Sequence, residues 1–472
     1  MKIIGRDHEK KALADYFKSE RPEFVAVYGR RRVGKTFLIK ESFENDFSFY
    51  FTGSANANMQ DQLHNFNAAL NQYGKVSYPF PKSWFEAFEQ LVHLLEHSSD
   101  TKKVIFLDEV PWMDTPRSKF IPALEYFWNS WASSRPDILL IVCGSATSWM
   151  MNNLIQNKGG LYNRITRRMF IEPFTLNECE RYFHENNIVM SRYQIAEYYM
   201  ILGGIPYYLN LIDKKLSLAQ NIDKLCFSKN GELTDELDRL YASLFKYSEN
   251  HIKIVEFLSR KSKGMTRDEI SRNTKISDGG GLVKNLVELE QCGFIRKYHA
   301  FGKKKGYLYQ LIDFYTLFYF KFMINNTFSD SQFWLKSIDS ARHRSWSGYA
   351  FEQVCLTHVL QIQKKLGVSG VLTNISSWRG ETSDTGAQVD LIIDRNDGVI
   401  NLCEMKYSGT GLFAIDKKYS ENLNRKKSVF IQKSGSRKAI HLTMVTTYGI
   451  QKNIYSDMIQ SEVTLNDLFD AL

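Results

Sequence analysis

The chain has 472 residues, 43% of them hydrophobic, with 61 Lys and Arg against 52 Asp and Glu and a formal net charge of +9. That length is too great for one hydrophobic core and predicts roughly two to four domains. The composition excludes a membrane-spanning or secreted disulfide scaffold. No apolar tract reaches the roughly 18 residues that a bilayer demands, and Met1-Lys2-Ile3-Ile4-Gly5-Arg6 lacks the apolar core of a secretory signal. The cysteines at 143, 179, 226, 292, 355 and 403 form no C-x-x-C pair. They read as reduced, mostly buried thiols of a cytoplasmic protein with no membrane partner.

The first informative element is Phe24-Val25-Ala26-Val27-Tyr28, an apolar run that predicts a buried strand. It leads into Gly29-Arg30-Arg31-Arg32-Val33-Gly34-Lys35-Thr36, which reads G-x-x-x-x-G-K-T, and then into a helix opening around Phe37-Leu38-Ile39. Strand, glycine-rich loop and helix in this order aim backbone N–H groups and a helix dipole at a phosphate. The residues from Gly29 to Phe37 are the expected nucleotide cradle. Lys35 reaches the β- and γ-phosphates of ATP, and the Thr36 hydroxyl ligates Mg²⁺. The roles of Arg30, Arg31 and Arg32 do not follow from this chemistry.

Val104-Ile105-Phe106-Leu107 forms a second buried strand ending in Asp108-Glu109, about 70 residues beyond the loop. Ligands of open α/β sheets bind at such carboxyl ends. Asp108 is the expected Mg²⁺ partner, and Glu109 the group that orients or deprotonates the attacking water. A third strand, Ile138 to Cys143, ends in Gly144-Ser145-Ala146-Thr147. A small polar side chain at that tip, Ser145, is placed to sense the γ-phosphate, although Gly-Ser also makes an ordinary turn. Leu161-Tyr162-Asn163-Arg164 follows, ahead of Arg167-Arg168. Phosphoryl transfer depends on charge stabilisation, so Arg164 is a candidate arginine finger, acting in cis or from a neighbouring copy in a homo-oligomer.

Taken together, these segments resemble the archaeal-type P-loop ATPases of the AAA+/STAND group. The elements that match are I-I-G-R-D at 3–7, G-R-R-R-V-G-K-T, I-F-L-D-E, C-G-S, L-Y-N-R, I-E-P-F at 171–174 and Gly203-Gly204-Ile205-Pro206. The resemblance implies a helical lid from about Leu176 to Lys224, with Gly204 and Pro206 near the base or ribose. It also implies that Gly5 and Arg6 line the adenine side.

Between Phe245 and Gln310 there are 14 Lys and Arg against 7 Asp and Glu, so most of the excess positive charge lies in one segment. Such asymmetry points to nucleic acid or another polyanion. Ile252 to Leu258 has helical spacing, and Thr266-Arg267-Asp268-Glu269 is a capping box for a second helix. A third helix carries Leu282, Leu286 and Leu289 on one face. Alternating segments at 293–298 and 307–310 flank Lys303-Lys304-Lys305. Three helices and a basic hairpin predict a winged helix-turn-helix. Its third helix exposes Lys284 and Asn285 but also Glu288 and Glu290, which repel phosphate. STAND-type ATPases place a similar module after the lid, where it serves as an intramolecular clamp, so DNA contact and clamp both stand as readings.

Near the C-terminus, Gln388-Val389-Asp390-Leu391-Ile392-Ile393 and Val399 to Lys406 read as strands joined by Asn396-Asp397-Gly398, a hairpin. Antiparallel pairing brings Asp390 to Glu404 and Lys406, and positions 404 and 406 share a face. Two carboxylates can hold Mg²⁺ beside an ammonium that activates water. The pattern resembles the PD-(D/E)xK nuclease superfamily and the restriction-endonuclease-like domain fused to these ATPases, with Gln388-Val389 where a proline-type residue is expected. By that resemblance Glu352 is a third acid, Asp390 and Glu404 are metal ligands, and Lys406 is the base or electrostatic stabiliser.

The resulting expectation is an α/β chain. It has a P-loop ATPase core over 1–175, a lid over 176–240, a winged helix over 241–310, a helical linker over 311–340 and a nuclease-like domain over 341–472. The expected function is an ATPase controlling a DNA-directed module, against a nucleotide-dependent switch or regulator that cuts nothing.

Overall fold

Five parallel strands form the first sheet: β1 (Glu23–Tyr28), β2 (Phe49–Thr52), β3 (Lys103–Asp108), β4 (Ile138–Gly144) and β5 (Arg167–Phe170), in the order β2-β3-β4-β1-β5. The computed structural model describes residues 3–472 except 157, 158, 162, 246, 262, 263, 300, 303–305, 328, 329 and 382–385. Tyr162 and the basic tip Lys303-Lys304-Lys305 therefore lie outside the described residues. β1, β3 and β4 are buried along their whole apolar length, as parallel strands covered on both faces require. Parallel pairing also puts every carboxyl end on one edge, where the turns after β1, β3 and β4 emerge.

This sheet belongs to the first of two compact units, Met1–Pro173 with Ala242–Lys246; the second comprises Phe174–Tyr241 and Tyr247–Leu472. Residues 174–241 and 247–472 thus share one unit. Its first helices, Leu176–Glu185 and Arg192–Leu202, start at the capping boxes Thr175/Glu178 and Ser191/Gln194. Both helices are anchored to the C-terminal segment. The Leu176 N–H donates to His358 Nε2 at 3.0 Å, Asn177 Nδ2 donates to the Phe469 carbonyl at 3.0 Å, and the Arg192 guanidinium lies over the Phe469 ring.

The basic middle forms the expected elements: helices Glu249–Ser259, Arg267–Thr274 and Gly280–Gln291, then β6 (Ile295–Tyr298) paired antiparallel with β7 (Leu308–Leu311). The capping box is present, with the Glu269 N–H on Thr266 Oγ1 at 3.2 Å and the Thr266 N–H on Glu269 Oε2 at 2.8 Å. Leu282, Leu286 and Leu289 are buried and Lys284 is exposed, whereas Asn285 is half-buried. The segment after β6 packs inside its own unit: the Phe301 N–H donates to the Ser377 carbonyl at 2.8 Å, and the Phe301 and Phe430 rings lie 5.2 Å apart.

The second five-stranded sheet has the order β12-β11-β10-β9-β8, with β8 (Thr373–Glu381), β9 (Gly386–Arg395), β10 (Val399–Lys406), β11 (Ala439–Thr446) and β12 (Ser461–Thr464). β8, β9 and β10 form an antiparallel meander, while β10, β11 and β12 run parallel. Helix Lys417–Ser434 is the crossover from β10 to β11 that a parallel pair needs. Its Leu423 and Phe430 share a core with Ile400 and Leu402 of β10. All six cysteines are free and buried, as the sequence suggested.

Candidate functional site

The loop after β1 is shaped by two glycines. Gly29 has φ +144, and a Cβ there would stand 2.4 Å from the Ile171 carbonyl oxygen, so no larger residue fits. Gly34, φ +88, caps the helix Lys35–Ser42 and has open space where its Cβ would be. The free N–H groups at the start of that helix suit an anion. Lys35 Nζ donates to the carbonyls of Gly29 and Arg30, at 2.8 and 2.9 Å, and the residue is 5% exposed. The ammonium is therefore held in the mouth of the loop by two neutral acceptors that a phosphate can replace.

Thr36 Oγ1 donates to Asp108 Oδ2 at 2.8 Å, which joins the loop to the tip of β3 across the intervening β4. Burial raises the Asp108 carboxyl above its ordinary range and the neighbouring Glu109 charge adds to this, while bonds from Thr36 and Cys143 work against the shift. The part played by Cys143 was not foreseen, because its proximity to Asp108 depends on β3 and β4 being neighbours. Glu109 turns off the strand at φ 49, a left-handed conformation that is strained for a glutamate. Its N–H donates to Asp108 Oδ1 at 2.9 Å. Ser145 Oγ lies 2.9 Å from both Glu109 carboxylate oxygens, and the Ser145 N–H donates to Oε2 at 3.1 Å. Ser145 is thus a partner of the glutamate in this structure, a role that the expectation of a phosphate sensor did not include.

Other candidates are placed differently. Arg6, buried and at φ 56, donates to the carbonyls of Val33 and Glu172 at 3.2 and 2.6 Å, tying the segment that holds Gly5 to the loop. Arg30 and Val33 are buried, Arg32 is half-buried at φ 73, and Arg31 and Phe37 are exposed. Arg164 is exposed and precedes β5, whose Arg167 pairs with Val25 while Thr166 bonds Phe24. This is the amino edge of the sheet, the full length of β1 (about 17 Å) from the loop. The cis arginine finger is therefore corrected: an arginine side chain does not span that distance, and only a second copy could bring Arg164 to a phosphate. Pro206 belongs to the second unit, where it opens the short helix Pro206–Leu209. Next to it the Gly204 carbonyl accepts the Phe174 N–H at 2.7 Å.

A second cluster lies on β9 and β10. The β9–β10 register ends at Cys403↔Leu391, with Glu404 and Asp390 each one residue beyond this last pair, and the Asp390 charge acts on Glu404. Glu404 is 2% exposed and its carboxyl is raised chiefly by burial, with Lys426 and Lys406 opposing the shift and Asp390 adding to it. Glu352, on helix Ala341–Thr357, is pushed up to about 8 by burial and by the charge of Asp390, against the pull of Lys406. The four residues from Glu352 to Lys406 therefore share one electrostatic environment. Two further members were not anticipated. Lys426 Nζ binds Glu404 Oε1 at 2.6 Å, and Tyr419 has its ring 5.7 Å from Lys406 Nζ. Gln388 Nε2 donates to Asp390 Oδ1 at 2.9 Å.

Among the described residues, no three His, Cys, Asp or Glu side chains converge into a ready ligand set. Glu352, Asp390 and Glu404 thus form no three-acid convergence as they stand, and a lysine occupies one Glu404 oxygen. The donor chemistry still suits a hard cation. Glu404 Oε2 and the Tyr419 hydroxyl are both buried with no hydrogen-bond partner among the described residues. No helix among the described residues is long and apolar enough to cross a membrane.

Residues 4–212 match a family described as an ATPase domain predominantly from Archaea, and this part of the chain is an archaeal-type ATPase domain. An uncharacterized protein of Methanocaldococcus jannaschii is 25% identical over 436 residues, covering 90% of this chain and 92% of its own. Among solved structures, a Walker-type ATPase of Pyrococcus abyssi is 18% identical with a TM-score of 0.47, over 68% of this chain and 96% of its own. The ORC2 protein of Aeropyrum pernix is 12% identical with a TM-score of 0.42, over 68% of this chain and 93% of its own.

Proposed function

We propose that the chain binds and hydrolyses ATP and that its nucleotide state controls a DNA-directed C-terminal module, a Mg²⁺-dependent nuclease. The observation that carries the first half is the meeting of Lys35, the Thr36–Asp108 pair and the Ser145–Glu109 pair at one sheet edge. Lys35 exchanges its two carbonyl partners for the β- and γ-phosphates. Thr36 and Asp108 would hold Mg²⁺, which supplies charge neutralisation at the phosphates when bound. Glu109 accepts the proton of the attacking water, and Ser145 fixes the carboxylate that does so. Arg164 serves a neighbouring copy.

In the C-terminal module Asp390, Glu404 and Glu352 would hold Mg²⁺, and Lys406 stabilises or deprotonates the water that attacks a phosphodiester. The mutual electrostatic effects of Glu352, Asp390, Glu404 and Lys406 support this reading. Lys35→Ala abolishes ATP hydrolysis, and Asp390→Ala or Lys406→Ala abolishes nicking. If purified protein cuts neither DNA nor RNA with Mg²⁺ or Mn²⁺, with or without ATP, the nuclease half is wrong.

A second reading is a nucleotide-dependent switch that binds DNA or protein without cutting. Two observations favour it: Lys426 on Glu404, and Phe301 of the winged segment packed on Phe430, as a clamp would be. Salt-sensitive DNA binding that Asp390→Ala leaves unchanged, without cleavage, would select this reading.

A further inference from the structure

Glu404 presents a particular problem. A carboxylate buried to 2% exposure demands a compensating cation. The nearest partner is not Lys406, two residues along its own strand, but Lys426 from the crossover helix, 2.6 Å from Oε1. Lys426 is itself 17% exposed, so its ammonium closes the solvent side of the pair. Among the described residues the other oxygen, Oε2, has no partner and no solvent contact, and neither does the hydroxyl of Tyr419, on the same helix as Lys426. Electrostatically, Tyr419 feels Glu404, Asp390 and Glu352 together. The helix therefore brings one cation and one idle hydroxyl to a set of acids that lacks a metal-ready convergence.

We infer that Lys426 is the resident counter-ion of the acidic site and competes with a divalent cation for Glu404, so that the site binds metal only as Lys426 leaves it. This rests on the metal-dependent reading above and adds regulation of the same site. A dication on either Glu404 oxygen would stand within a few ångströms of a retained Lys426 ammonium and be repelled by it. The Lys426 side chain itself keeps partial exposure to solvent. A departing ammonium thus has solvent, or an approaching phosphate, to move into. The same lysine that blocks the metal would then meet a polyanion, and polyanion and metal would load together.

The test is Mn²⁺ binding to the full chain without nucleotide, read from the electron paramagnetic resonance of free Mn²⁺. It compares wild type, Lys426→Gln, Lys426→Arg, Glu404→Gln and the Glu404→Gln/Lys426→Gln double variant, with thermal melts reporting that each is folded. Lys426→Gln keeps a donor for Glu404 and is expected to bind Mn²⁺ about tenfold more tightly than wild type. The gain is expected to vanish in the double variant, and Lys426→Arg is expected to behave as wild type. Glu404-dependent binding of equal strength in wild type and Lys426→Gln overturns the inference and leaves the metal site standing. Absence of any Glu404-dependent binding in folded protein overturns both.

Discussion

Protonating His358 should loosen the second unit by an amount that can be worked out. The ring is 1% exposed and uses both nitrogens: Nε2 accepts the Leu176 N–H at 3.0 Å, and Nδ1 donates to the Val354 carbonyl at 2.8 Å. Only the neutral ring makes both bonds, and burial pushes its pKa down to about 4 from the ordinary 6.5. The unfolded chain therefore takes up a proton near pH 6.5 that the folded chain refuses until about pH 4. Stability is fully present above pH 6.5 and is lost as pH falls toward 4. Each pH unit between those two values is worth about 1.4 kcal/mol, so the loss is about 2 kcal/mol at pH 5 and about 3 kcal/mol at its limit. The assay is urea unfolding at pH 7.5 and pH 5.0, followed by amide exchange in the peptide holding Leu176. His358→Gln cannot titrate, so it should lose about 2 kcal/mol less than wild type over that interval. Equal losses in the two proteins would refute the argument.

Glu197 should show the opposite slope. Burial, only partly offset by bonds from Tyr193 and Tyr407, pushes its carboxyl up to about 7, so the folded state keeps a proton and stability falls as pH rises from 4.5 to 7. Glu197→Gln is expected to stabilise the second unit by about 3 kcal/mol at pH 8 and hardly at all at pH 4.5, again by urea unfolding. Gly29→Ala adds a Cβ 2.4 Å from the Ile171 oxygen at φ +144; a strain of about 1–3 kcal/mol should lower the melting temperature and weaken ATP binding in a nucleotide titration. Unaltered affinity would sink the loop argument. Ser145→Ala removes the hydroxyl from Glu109, so kcat for ATP hydrolysis should fall roughly 10²-fold with KM unchanged. A rise in KM instead would return Ser145 to the role of phosphate sensor.

The legible parts of this chain were those in which chemistry is local in sequence. The loop at Gly29–Thr36, the acids ending β3 and the capping box at Thr266 each declare themselves within a few residues. The hairpin of β9 and β10 was also readable, because a short turn fixes register and register fixes which side chains meet. What stayed hidden depends on strand order or on long crossovers. β4 lies between β1 and β3, which brings Cys143 under Asp108 and Ser145 onto Glu109, and no spacing rule contains that arrangement. Whether Arg164 serves its own site or a neighbour's is not legible in the sequence either, because only β5 shows it at the opposite sheet edge from its own loop. Lys426 lies 22 residues beyond Glu404 on a helix whose rotation is set by Leu423 and Phe430, core residues indistinguishable in sequence from any others. The anchoring of the lid-type helices by His358 and Phe469 is likewise a product of tertiary packing.

The central claim, that nucleotide state governs a cutting module, is tested most directly by one cleavage assay. Single- and double-stranded DNA and RNA are incubated with the full chain and Mg²⁺ or Mn²⁺, with and without ATP, alongside Lys35→Ala and Lys406→Ala. The account predicts cleavage that responds to ATP in wild type, loses that response in Lys35→Ala and disappears in Lys406→Ala. Cleavage that ignores ATP and survives Lys406→Ala, or no cleavage of any substrate by folded wild type, would contradict it.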